Sequence, residues 1–268
     1  MCELLGMSCN TPTDLTFSFT GFSSRGGRTA PHGDGWGLAF FEGKASRLFL
    51  DPSPCCESPL ANFFRTHPIQ TELAIAHIRK RTHGPVGLAN THPFWREMWG
   101  RSWVFAHNGT LQGVEGLALD RYSPIGETDS ERAFCWMLGQ LLREFHTDPG
   151  PAQLFEAVAR LGSELSRRGV FNFLLGNGEY LLARCDSKLH HIIRRAPFGQ
   201  ATLNDEDVAI DFSQVTSPGD QVAVVSTAPL TRDEAWRKGE PGQLWVFHRG
   251  ALVAELESPV LHEPVVHP

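Results

Sequence analysis

Met1-Cys2-Glu3-Leu4-Leu5-Gly6-Met7 opens the chain, and its second residue decides how the rest is read. Cys is small enough for an aminopeptidase to take off the preceding Met1. The chain would then begin with a residue carrying both a thiol and a free α-amine. Those groups have reference pKa values of about 8.5 and about 7.7–8.0, so both titrate near neutral pH. One residue then supplies a nucleophile and its own general base, the N-terminal nucleophile arrangement. A cysteine at this position could equally be a small apolar bystander, and only the downstream segments can separate the two.

Three polar segments lie where predicted elements end or begin. Ala76-His77-Ile78-Arg79-Lys80-Arg81-Thr82-His83-Gly84 follows a predicted strand over 73–78. Ala106-His107-Asn108-Gly109 ends a predicted strand over 102–106, and Gly126-Glu127-Thr128-Asp129-Ser130-Glu131 opens a long predicted helix. A thiolate that attacks an amide carbonyl needs donors for the developing oxyanion. The Asn108 side-chain amide and the Gly109 backbone N–H can supply two, and Gly lets the backbone come close to substrate. An amino-acid substrate also needs a cation for its carboxylate and an anion for its ammonium. Arg79 can hold a carboxylate with two parallel bonds, and Asp129 can hold an ammonium. Singly, each has a structural explanation. Arg79 could be a surface ion pair, Asn108-Gly109 a turn, and Asp129 a first-turn acid complementing a helix dipole. Their joint occurrence behind Cys2 is the signal.

Together these residues resemble the class II glutamine amidotransferases, and most of all their stand-alone, YafJ-type bacterial members. The resemblance runs along nearly the whole chain. It also takes in His32-Gly33-Asp34-Gly35-Trp36-Gly37, Asn90-Thr91-His92-Pro93-Phe94, Arg195-Ala196-Pro197-Phe198-Gly199 and Ala228-Pro229-Leu230-Thr231. It implies an α+β fold, the four-layer αββα sandwich of the N-terminal nucleophile hydrolases. It implies glutamine hydrolysis to glutamate and ammonia, with no cofactor and no metal. Carried over residue by residue, it makes Cys2 the nucleophile, with Asn108 and Gly109 as the oxyanion hole. Arg79 binds the substrate carboxylate with Thr82 and His83 beside it, and Asp129, with Gly109, binds the ammonium. Trp36, His92 and His107 are read as structural. Two alternatives stay open. One is hydrolysis of glutathione-like or other γ-glutamyl compounds. The other is a non-catalytic partner-binding module. One form of the glutaminase reading pairs the chain with a separate ammonia-accepting synthase subunit, since a single domain is expected within the 268 residues.

Composition bounds the rest. The net charge is −6, from 24 basic and 30 acidic residues, without a basic stripe, so no nucleic-acid partner is expected. No apolar run reaches membrane-span length, and the N-terminus has no secretory pattern, so a cytoplasmic location is expected. The six cysteines include no C-x-x-C pair, and the twelve histidines show no H-E-x-x-H spacing, so they are read as reduced thiols and hydrogen-bonding rings. Cys55-Cys56 is expected to be two free surface thiols.

Short runs rich in apolar and β-branched residues predict strands over 3–8, 36–41, 45–50, 73–78, 102–106, 170–175, 179–184, 189–194, 221–226, 243–248 and 252–256. Asn177-Gly178 predicts a hairpin. Apolar spacing of 3.6 predicts helices over 129–145 and 151–168, and a weaker one over 13–24. Thr128 with Glu131 fits a capping box, and Pro151 suits a first helical position. One domain over 1–268 is expected, with 258–268 as a loose tail.

Overall fold

The central strands carry apolar side chains on both faces, so each face needs its own covering layer. A computed structural model describes residues 2–262. Met1, whose removal the expected N-terminal nucleophile would require, lies outside the described residues, as do residues 263–268 of the expected tail. In chain order the elements are β1 (Glu3–Asp14), α1 (Thr16–Ser24), β2 (Trp36–Glu42), β3 (Ala45–Asp51), α2 (Pro59–Thr66), β4 (Gln70–Ile78), β5 (Phe94–Met98), β6 (Arg101–Leu111), α3 (Asp129–Glu144), α4 (Pro151–Ser166), β7 (Gly169–Gly176), β8 (Leu181–Cys185), β9 (His190–Arg195), β10 (Gln200–Thr202), β11 (Ala209–Asp211), β12 (Gln221–Ser226), β13 (Arg237–Lys238), β14 (Gln243–His248) and β15 (Ala251–Glu257).

Two antiparallel sheets form the centre. One has the order β13-β9-β12-β1-β4-β2-β3, the other β15-β14-β8-β7-β6-β5, and β10-β11 is a separate small ribbon. Three cores stack through the molecule. Phe19, Phe22 and Phe64 of α1 and α2 pack on Leu5, Leu38 and Ala76. Leu4, Ile75, Ala106, Leu174 and Trp245 meet between the sheets. Phe134 and Val158 of α3 and α4 pack on Trp103, Phe105 and Phe173. Neighbours along a strand fall into different cores: Leu4 and Leu5, Ile75 and Ala76, Phe105 and Ala106. A pleat of period two requires this, and the layer order is αββα.

The predicted strands and long helices all form, with ends shifted by a few residues. Asn177 Oδ1 accepts from the backbone N–H groups of Glu179 and Tyr180 and closes the β7–β8 hairpin. Five elements went unread: α2, β5, β10, β11 and β13. The capping box is half formed. Thr128 accepts from Glu131 N at 3.2 Å, but the Glu131 carboxylate turns to Gly126 N and Arg96 instead. Three expectations are corrected. Asn108-Gly109 lies inside β6, not at its end, because β7 pairs with β6 as far as Leu111. Cys55 is no surface thiol. It is buried in a tight turn against Gly26, while Cys56 is half-buried and both are free. Residues 258–262 are tied down: Ser258 is fully buried, donates to Ala159 O and receives Arg184 Nε, and Leu261 N donates to Ser166.

Candidate active site

Cys2 stands just ahead of β1, on the parity of Leu4, which faces the space between the sheets. The register pairs Glu3 with Ile78, so Cys2 meets the chain where it leaves β4. Its Sγ is bracketed by one peptide: Lys80 N donates to it at 3.3 Å, and it donates to Lys80 O at 3.4 Å. Cys2 is 9% exposed, and burial pushes its thiol up to about 11, against the pull of the Lys80 N–H and Arg79.

Arg79 follows immediately. Asp34-Gly35 clamps its backbone: Asp34 N donates to Arg79 O, Arg79 N donates to Gly35 O, and Arg81 N donates to Asp34 Oδ2. The guanidinium is buried and donates to the carbonyls of His83, Gly84 and Pro85 at 2.7, 3.3 and 3.0 Å. Among the described residues no carboxylate forms a salt bridge with it, so its charge is left for another anion. Thr82 and His83 lie in this loop with exposed side chains. What His83 brings to the site is its backbone carbonyl.

Asn108 and Gly109 come from the facing sheet. Asn108 is fully buried on the parity of Ala106. Its Nδ2 lies 3.4 Å from Thr227 Oγ1, and its Oδ1 has no partner. Thr227 Oγ1 also accepts from Leu4 N at 2.8 Å, which ties the Asn108 amide to the strand carrying Cys2. Gly109 cannot be replaced without disruption, because a Cβ there would lie 1.8 Å from Val170 O and 2.7 Å from His107 Nε2. Asp129 sits in the first turn of α3, 7% exposed, where Oδ2 accepts from Leu111 N at 2.7 Å. Both Arg79 and Asp129 act on the Cys2 thiol electrostatically, in opposite directions.

Four supporting residues had no role assigned from sequence. Thr227 follows β12 with no signal of its own. Asn172 is a polar residue inside the apolar run of β7, which is unusual for a central strand. It donates to Asn108 O at 2.9 Å and accepts from Asp186 N, Ser187 N and Lys188 N. Asn90 donates to Pro85 O and accepts from Glu127 N, so it joins the Arg79 loop to the start of α3. Ser130 bridges Asp129 and His107. Among the described residues no group of three or more His, Cys, Asp or Glu side chains is arranged to hold a metal ion, and no helix is long and apolar enough to cross a membrane.

Two antiparallel sheets packed face to face and covered by helices on both outer sides define the sandwich fold of the N-terminal nucleophile hydrolases. Comparison with known proteins narrows this. The family model of glutamine amidotransferases class-II matches residues 1–267, and the chain belongs to that family. It is 52% identical over 254 residues to the candidate glutamine amidotransferase YafJ of Escherichia coli (strain K12), covering 94% of this chain and 100% of that protein. It is 47% identical over 256 residues to a candidate glutamine amidotransferase of Haemophilus influenzae, covering 96% and 87%. A predicted glutamine amidotransferase from Pseudomonas aeruginosa PA01 has a crystal structure similar to this one, with a TM-score of 0.74 at 42% identity over 94% of this chain and 100% of that one. Glutamine phosphoribosylpyrophosphate amidotransferase from B. subtilis shares the fold, with a TM-score of 0.62 at 16% identity, over 96% of this chain and 49% of that one.

Proposed function

We propose that this chain hydrolyses the side-chain amide of L-glutamine to glutamate and ammonia through a γ-glutamyl thioester on Cys2. The observation that carries the reading is that a buried cation without a salt bridge, Arg79, and a buried anion, Asp129, both act on the Cys2 thiol, while the Asn108 amide of the other sheet is tied through Thr227 to the strand that follows Cys2. A glutamine held by its carboxylate on Arg79 and its ammonium on Asp129 presents its far end to the thiol.

Burial holds the thiol well above neutral pH, so attack needs a base. With Met1 removed, the Cys2 α-amine takes the thiol proton, directly or through water. With Met1 attached, that nitrogen is an amide and cannot. Sγ then bonds to the amide carbon, and the oxyanion is held by the Asn108 Nδ2–H and the Gly109 N–H. Losing one such donor typically costs about 100- to 1000-fold in rate. The α-ammonium returns its proton to the leaving nitrogen as the C–N bond breaks, and ammonia departs. Water attacks the thioester, and glutamate leaves with the thiol restored.

A second reading, hydrolysis of γ-glutamyl compounds with an anionic leaving group, is favoured by the rim. Lys80, whose peptide brackets Sγ, and Arg81 and His83 in the loop that follows it are all exposed, and among the described residues neither Lys80 nor Arg81 forms a salt bridge. The test is glutamate release by protein whose Met1 removal is verified by mass. L-glutamine and glutathione are compared, with Cys2→Ala as control. Release from glutamine that vanishes in Cys2→Ala supports the first reading, and release mainly from glutathione supports the second. Undiminished release by Cys2→Ala sinks both.

A further inference from the structure

The protons along His107, Ser130 and Asp129 do not balance while the imidazole is neutral. His107 Nε2 lies 3.1 Å from Val170 O, His107 Nδ1 lies 2.8 Å from Ser130 Oγ, and Ser130 Oγ lies 3.3 Å from Asp129 Oδ1. A carbonyl oxygen only accepts, so Nε2 carries a hydrogen. In a neutral ring Nδ1 is then bare and takes the single hydrogen of Ser130. The Asp129 contact is left with none. In an imidazolium, Nδ1 donates to Ser130, Ser130 donates to Asp129, and all three contacts become hydrogen bonds. The ring is 1% exposed and cannot turn to water, and Gly109 leaves the space that its Nε2 edge occupies.

We propose that His107 and Ser130 are positioning residues for the ammonium site. Below neutral pH they hold a proton against Asp129 when the site is empty and release it when a substrate ammonium docks, so that substrate binding is linked to proton loss. This rests on the reading of Asp129 as the ammonium holder. The charged and titratable groups around His107 are Asp129 on α3, Asp186 after β8, and the imidazoles of His77 on β4 and His92. Asp186 is already paired with Arg184 and His262. His77 is held neutral by burial, down to about 3, and burial also keeps His92 well below the ordinary range. Burial outweighs the opposing pull of Asp129 and leaves His107 below its ordinary value, so the ring takes up its proton on the acid side, and among these rings it is the one whose hydrogen-bond chain ends on a carboxylate.

The sign follows from linkage. A bound ammonium is a second cation on Asp129 and disfavours the imidazolium. The ring therefore binds its proton more weakly in the complex than in the free protein, and substrate affinity falls as pH drops. Where a full proton is released, Kd rises by about tenfold per pH unit of acidification.

The experiment is calorimetric titration of L-glutamine into the Cys2→Ala protein, from about pH 5 to about pH 7.5, in buffers of different ionisation enthalpy. The expected result is proton release that grows toward the acid end, with Kd rising in step. In Cys2→Ala/Ser130→Ala that release and the pH slope flatten, while binding near neutral pH persists. The double variant also subtracts any contribution from the α-amine. Cys2→Ala/His107→Asn is the second variant and should flatten the slope in the same way. Binding with no proton release, or release unchanged by Ser130→Ala, overturns this inference alone. No binding at any pH overturns the reading of Asp129 and, with it, this inference.

Discussion

The two arms that flank Cys2 hold their charges by different means. Arg79 hangs from the end of a strand, and its guanidinium is steadied by three carbonyls of an exposed loop. Asp129 is fixed inside a helix start, with one oxygen on the Leu111 N–H and the other near Ser130. Loop segments open at low free energy, whereas elements packed into a core open only with the whole fold. Arg79, the proposed carboxylate arm, is therefore the adaptable one, and Asp129, the proposed ammonium arm, the rigid one. Asn90 joins them, with its Nδ2 on Pro85 O and its Oδ1 on Glu127 N.

The largest effect that would break this contrast lies at Asp129. Asp129→Ala removes the proposed partner of the substrate ammonium and leaves the buried Leu111 N–H without an acceptor. Losing one member of a buried charge pair costs about 3–5 kcal/mol, so kcat/KM for glutamate release should fall at least about 100-fold. The orphaned N–H adds about 1–3 kcal/mol of lost stability, visible as a lower Tm. A variant that loses activity with an unchanged Tm would show that Asp129 is not part of the rigid frame.

Much of this was legible in the sequence, for reasons that differ by residue. Asp129 could be placed because the period of α3 fixes its first turn, and Cys2 because its position in the chain is itself the signal. The position of Asn108 within its strand was misread. A polar Asn-Gly pair reads as a turn when its partner strand is unknown, and only the pairing with β7 shows β6 continuing to Leu111. Asn172, Asn90 and Thr227 each reach the site through a hydrogen bond to a residue more than thirty positions away, and no local pattern encodes such a contact. Short elements such as α2, β5 and β13 form where tertiary packing covers them, beyond the reach of periodicity.

A smaller effect is expected at the adaptable arm. Arg79→Lys keeps the charge but loses the planar fork that can reach loop carbonyls and a carboxylate together. We expect kcat/KM to fall about 10- to 100-fold, mostly through KM, with a smaller loss in Tm than Asp129→Ala shows. Steady-state kinetics beside a thermal melt would check it. A kcat defect at unchanged KM would mean that Arg79 acts in the transition state and not in substrate capture.

The smallest effect separates the loop's backbone from its side chains. Thr82 and His83 were expected to line the substrate site, yet both side chains are exposed, and the loop holds Arg79 through the carbonyls of His83, Gly84 and Pro85. An alanine at either position keeps its carbonyl. Substitutions at exposed positions usually stay within about 0.5 kcal/mol, so Thr82→Ala and His83→Ala should each change kcat/KM for L-glutamine by less than about threefold. A loss above tenfold in either would mean that the loop closes over bound substrate and brings that side chain into contact, and the adaptable arm would then be a gripping one.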